Sequence, residues 1–190
     1  MYLFFDTETT GIPRNYRAPA SDLRNWPRLV QIAWLLADER KNEVASAEYI
    51  VKPDGFTIPG DAARIHGITT ELALRHGVDL KTVLEAITPD IRRASVLIAH
   101  NIQFDEKILG AEFLRAGRPN LVESRERRCT MQEATNHCRL PGPYGYKWPT
   151  LGELHLKLFG EPPEGAHHAL VDVRACARCY FELKRLKVMA

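Results

Sequence analysis

Dense apolar runs at Tyr2–Asp6, Leu29–Ala37 and Val96–Ala99, together with Glu43–Lys52, read as strands. The first of these ends in charge, not in a turn residue. Helical spacing takes over elsewhere. Asp61–His66 and Thr70–His76 read as short helices separated at His66-Gly67, and Leu80–Ala94 as a longer one with Val83, Leu84, Ile87 and Ile91 on one face. Asn101 stands where it can cap a helix that runs to about Ala116, with Phe104, Ile108, Leu109 and Phe113 inward and Gly117 as its stop. Cys129–Cys138, Leu151–Phe159 and Ala169–Leu186 complete the helices. Ile12–Pro27 is too long for a hairpin turn and reads as a surface excursion. Arg139–Pro149, with three prolines and two glycines, reads as irregular. Antiparallel strands first, then helix–strand–helix, then helices, predict an α/β fold around one central sheet.

Composition narrows this picture only a little. A chain of 190 residues is expected to form a single domain, 1–190, with a core that needs no disulfide or metal staple. The net charge of +2 neither demands nor excludes nucleic acid, although a site holding several carboxylates would leave the remaining surface more basic. No apolar run approaches the ~20 residues of a membrane span, and the first residues lack the order of a signal peptide. The four cysteines suggest no disulfide framework, which suits a reducing cytoplasm. Cys176 and Cys179 form a C-x-x-C inside a helical pattern, where small packing residues are expected before a metal or redox pair.

The chemistry begins at the charged end of the first strand, YLFFDTETTG. Alternation puts Asp6 and Glu8 on one face and Thr7 on the other. Two adjacent carboxylates repel, and one would take up a proton unless a cation compensates them; hard oxygen ligands suit magnesium or manganese. A solvated strand end would carry the same two residues. Two later stretches bear on the choice. In IAHNIQFDEKIL a strand leads into a helix with Asp105 in its first turns, a position the helix dipole alone can explain. In HHALVDV, His167 precedes the last helix and Asp172 lies in its opening turns.

Taken in order, Asp-x-Glu on the first strand, Asn-x-x-Phe-Asp after a later strand and His-x-Ala-x-x-Asp at the last helix resemble the DnaQ-like exonucleases. The resemblance is to the DEDDh branch, which includes ribonuclease T and the epsilon-type exonuclease domain of DNA polymerase III. It spans Phe4 to Ala175 and takes in Pro27–Ala33 and Ile65–Thr69. The histidine spacing selects His167 over its neighbour His168. The resemblance implies a ribonuclease H-like fold with a mixed five-stranded sheet flanked by helices. It also implies hydrolysis of DNA or RNA from the 3′ end, releasing nucleoside 5′-monophosphates. Asp6, Glu8, Asp105 and Asp172 would hold two divalent cations, Mg2+ or Mn2+, about 4 Å apart. Asp6, Glu8 and Asp172 would take the first, Asp6 would bridge to the second, and Asp105 would help orient it. His167 would be the general base on the attacking water.

By the same resemblance Thr9, Thr10 and His66 would contact the terminal nucleotide. Phe104 fits core packing better than base stacking, and Asn101 is either a cap or a substrate contact. Tyr144, Tyr146, Lys147 and Trp148 interleave aromatics with charge, as single-strand platforms do, but also as ordinary surface loops do. Arg125–Arg128 (RERR) could follow a phosphate backbone, though such runs usually form a solvated face. The expected partner is nucleic acid with a free 3′ end, single-stranded DNA or short RNA before duplex. No membrane partner and no stable polymerase complex are expected, and a homodimer stays open. Haloacid dehalogenase-type phosphatases also resemble the opening, but they carry Asp-x-Asp-x-Thr where this chain has Glu8, and no later lysine and paired-aspartate motif is found. A non-catalytic nucleic-acid-binding module is the other alternative, although all five family residues are present. His167→Ala is expected to lower turnover by ~10²–10⁴-fold while leaving oligonucleotide binding intact; single-turnover assays beside a binding titration check both halves.

Overall fold

A computed structural model describes residues 1–163 and 169–189. The first strand, β1 (Tyr2–Thr9), continues past Asp6 through both acids. It pairs antiparallel with β2 (Leu29–Ala37), which pairs antiparallel with β3 (Glu43–Ile50). Three helices come next, α1 (Gly60–His66), α2 (Thr70–His76) and α3 (Leu80–Arg93). Strand β4 (Val96–Ala99) then adds parallel to β1, α4 (Ile102–Arg115) crosses back, and β5 (Glu126–Cys129) adds parallel to β4. The sheet order is β3-β2-β1-β4-β5.

Part of this departs from the pattern reading. Glu126–Cys129 is the fifth, edge strand, so the RERR run contributes backbone pairing and not just a charged face. Two single-turn helices, α5 (Thr130–Glu133) and α6 (Thr135–Cys138), stand in place of one helix from Cys129. Arg139–Pro149 is not wholly irregular. It contains a hairpin of β6 (Pro141–Gly142) and β7 (Gly145–Tyr146), because a two-residue ladder needs only two apposed backbones and Gly145, just after the turn, supplies a φ of +125°. The chain then enters α7 (Leu151–Phe159), started by a capping box in which Thr150 and Glu153 exchange side-chain to backbone hydrogen bonds. The last helix is α8 (Ala169–Arg185).

Strand alternation divides the core between the two faces. Leu3 and Phe5 pack with Val83, Leu84 and Ile87 of α3 and Ile108 of α4. Phe4 packs with Val173, Cys176 and Tyr180 of α8. Ring pairs Tyr2–Tyr180, Phe4–Tyr180 and Phe4–Phe181, with centroids 5.5, 5.4 and 5.5 Å apart, hold α8 along β1. Such contacts contribute ~0.5–1.5 kcal/mol each beyond burial. The C-x-x-C pair belongs to this face: Cys176 and Cys179 are buried, and all four cysteines are reduced. Burial pushes the Cys179 thiol up to about 12 and raises Cys176 as well, so neither is a reactive thiolate at neutral pH.

Helix α4 is tied to the sheet by charge as well as by apolar contact. Glu112 is fully buried, and its Oε1 accepts from the Leu29 backbone at 3.1 Å, Arg28 Nε at 2.9 Å and Arg115 at 2.8 Å. Arg115 in turn donates to the carbonyls of Leu23 and Trp26, both at 2.7 Å. The excursion 12–27 is thereby held against α4. Removing Glu112 would strand two guanidinium groups and a buried amide. Glu112→Ala is expected to destabilise the fold by ~3 kcal/mol, read as a lower midpoint in urea unfolding with an unchanged slope.

Candidate active site

The end of β1 is where the two faces of the sheet exchange groups. Asp6 and Glu8 lie on the α8 side, in line with Phe4, and remain partly exposed. Asp172 stands in the first turn of α8, one turn before Cys176. Asp105 comes from α4 on the opposite face and is buried. Its Oδ1 accepts from the Thr7 backbone N–H at 3.1 Å and from Thr7 Oγ1 at 2.7 Å. Thr7, which points away from Asp6 and Glu8, therefore holds an acid from the far layer at their strand end. Nothing in the spacing D-x-E singled out the middle residue; alternation alone, combined with a helix packed on the odd-numbered face, could have found it.

The four acids act on one another. Burial is the largest cause of a strong upward shift at Asp6, followed by the charges of Asp105, Glu8 and Asp172. Asp105 is raised to about 7, again chiefly by burial and in part by Glu8, against the lowering effect of its Thr7 hydrogen bonds. Among the described residues no three His, Cys, Asp or Glu side chains close into a group that would by itself hold a metal ion, although the fields of four carboxylates meet at Asp6. His167 and the adjacent His168 lie outside the described residues.

The flanking residues are held in different ways. Thr9 Oγ1 donates to the Gly11 carbonyl at 2.7 Å, closing a turn in which Gly11 has φ +148°. Thr10 Oγ1 accepts from the Arg28 backbone at 2.9 Å, and its own N–H donates to the Arg28 carbonyl at 3.0 Å. Both hydroxyls thus fasten the loop that leaves β1. His66 ends α1, and its Nδ1 accepts from the Ile68 N–H at 3.1 Å, which puts the proton of the neutral ring on Nε2. That Nε2 is covered and makes no hydrogen bond of ordinary geometry, yet the Thr9 backbone lies close enough to favour the protonated ring; burial outweighs it and lowers the pKa. Phe104 is half-buried against Trp26 and Tyr16, with centroids 6.5 and 6.4 Å away. Asn101 makes no side-chain cap hydrogen bond. It sits in the left-handed region at φ +93°, a conformation that Asn tolerates better than most residues, so the cap expected from its position is not formed.

A mixed five-stranded sheet with acids at the end of its central strand is the ribonuclease H-like arrangement, and solved structures share it. The chain superposes on E. coli exonuclease I in complex with a dT13 oligonucleotide with a TM-score of 0.76, at 22% identity over 98% of this chain and 42% of that one. The zinc-bound form of the E. coli exonuclease I–single-stranded DNA complex gives a TM-score of 0.78, at 22% identity over 98% and 41%. The chain therefore spans less than half the length of those proteins. Among curated sequences, DNA polymerase III subunit epsilon of Treponema pallidum (strain Nichols) is 28% identical over 179 residues, covering 93% of this chain and 73% of the relative. The RNase_T family, described as Exonuclease, matches residues 3–180, and the chain belongs to that family.

The raised acids make a signed prediction. A carboxyl whose pKa rises on folding keeps its proton in the folded chain after the unfolded chain has released it, so stability is lost as pH climbs through that interval. For Asp105 the interval runs from the ordinary 3.8 to about 7. Asp105→Asn retains the oxygen that accepts from Thr7. With EDTA present, urea unfolding of the two proteins is expected to diverge in the variant's favour as pH rises from 4 to about 7; parallel curves would contradict the shift.

Proposed function

We propose that this chain is a 3′–5′ exonuclease of the DEDDh type, acting in the cytoplasm as one catalytic unit over 1–190. The observation that carries the reading is the meeting of four carboxylates at Asp6, two from β1, one from α4 and one from α8. Crowded like charges raise one another's pKa and disfavour the fully ionised set, and divalent cations relieve that repulsion. The donors also fit such ions: every contributing atom is a hard carboxylate oxygen, the preference of Mg2+ and Mn2+. Asp6, Glu8, Asp105 and Asp172 would hold two of them, with Asp105 kept in place by Thr7. When bound, two such ions supply a nucleophile at neutral pH and stabilise the attacking and leaving oxygens of an in-line displacement.

The chain's own residues do the rest. His167, from the segment before α8, takes the proton of the attacking water as general base. His66, neutral and with its Nε2 proton turned to the Thr9 backbone, would border the terminal nucleotide through its ring. Thr9 and Thr10 shape the loop where the terminal nucleotide would lie, through the hydrogen bonds that fasten it to Gly11 and Arg28. Water attacks the last phosphodiester, the bond to the 3′-oxygen breaks, that oxygen takes a proton from solvent to become the new 3′-hydroxyl, and a nucleoside 5′-monophosphate leaves. Single-stranded DNA or short RNA is the proposed substrate.

A 5′-labelled oligonucleotide in Mg2+ is expected to give a descending ladder, while a 3′-labelled one loses its label at once; a shortening of the opposite polarity would sink the reading. Mg2+ or Mn2+ is also expected to raise the melting temperature of the wild type near pH 8, and Asp6→Asn to abolish both that rise and the ladder. The thermal shift tests the ion site independently of turnover.

A further inference from the structure

The hairpin of β6 and β7 is an aromatic-rich surface feature that the proposed catalytic machinery leaves unused. Its turn is Pro143-Tyr144, with Tyr144 at the apex and fully exposed. Tyr146 and Trp148 come after it at 51% and 59% exposure, so three large aromatic rings within five residues face solvent. A chain in water gains nothing from exposing them, and such clusters mark contact surfaces.

The base of the hairpin is built firmly. His100 follows β4; its ring lies 2.9 Å from the Pro149 carbonyl at Nε2 and 2.9 Å from Thr130 Oγ1 at Nδ1. A carbonyl can only accept, so Nε2 carries the proton and Nδ1 accepts from Thr130. Burial lowers the pKa of His100, which keeps this neutral form. Thr130 follows β5, so one imidazole joins the hairpin to the ends of two adjacent strands. The Thr150–Glu153 capping box, with Glu153 also pairing to Lys147, secures the other side.

Both β4 and β5 run parallel to β1. Their ends at Ala99 and Cys129 therefore lie at the edge of the sheet where β1 ends in Asp6 and Glu8. We infer that the 141–148 hairpin is a stacking platform for single-stranded nucleic acid, binding bases upstream of the 3′ terminus while that terminus occupies the carboxylate site. Aromatic faces accept any base, and exposed Arg139 at the hairpin's root adds positive charge for phosphates. This rests on the exonuclease reading for the polarity of the bound strand.

The test combines Tyr144→Ala, Tyr146→Ala and Trp148→Ala in the full chain. Fluorescence anisotropy with labelled oligo(dT) of about 4 and about 12 nucleotides, in EDTA to stop turnover, reads affinity. The variant is expected to bind the longer oligonucleotide roughly ten-fold or more weakly, to bind the shorter one nearly as wild type does, and to hydrolyse the p-nitrophenyl ester of thymidine 5′-monophosphate at the wild-type rate. Phenylalanine at the same three positions should restore binding, which a lost polar contact would not. Equal affinity of variant and wild type for the longer oligonucleotide overturns the platform and leaves the aromatics to a protein partner. If the wild type hydrolyses nothing while the variant still loses affinity, the nuclease reading falls and the platform stands.

Discussion

The whole site depends on a threonine that was not expected to take part. Thr7 donates twice to one oxygen of Asp105, and those two hydrogen bonds bring an acid from the α4 layer to the strand end that carries Asp6 and Glu8 on the α8 side. A sheet normally separates the residues packed on its two faces. Here the separation is overcome because the helix crosses the sheet and is fixed at two points on one face, seven residues apart: Asp105 to Thr7, and Glu112 to the start of β2. Burial that strains the ionised acids and hydrogen bonding that favours them act on the same carboxyl. Neither effect relieves the repulsion among the acids, which the proposed cations would.

Much of this was legible in the sequence, and the reasons differ by element. β2, α2 and β4 follow their predicted bounds because a buried strand and an amphipathic helix must repeat their apolar residues at fixed periods. β5 was hidden because an edge strand at Glu126–Cys129 can expose charged side chains while its backbone pairs on one side only. The hairpin at 141–146 was hidden by its prolines and glycines, which permit a two-residue ladder as readily as a loop. Asn101 had the right residue type for a cap in the right place, yet its backbone turned into the left-handed region.

The acids at 6, 8, 105 and 172 were named through the family resemblance that their order carries, but their supports could not be. Glu112 looks like any helix-surface glutamate in the sequence, and only the packed structure makes it a fully buried anchor for Arg28, Arg115 and the excursion that Arg115 holds. Thr9 and Thr10 stand where a nucleotide contact was expected, and their hydroxyls are also what fasten the loop. The chain belongs to the exonuclease family, and its sheet is shared with solved exonuclease I structures. Among the described residues no helix is long and apolar enough to cross a membrane.

The inward placement of every cysteine has a practical side. Cys129, Cys138, Cys176 and Cys179 are all covered by packed side chains. Maleimide dyes should find no native handle on the folded chain, so a single cysteine engineered into an exposed turn would carry a fluorophore or spin label alone, with the wild-type background left untouched.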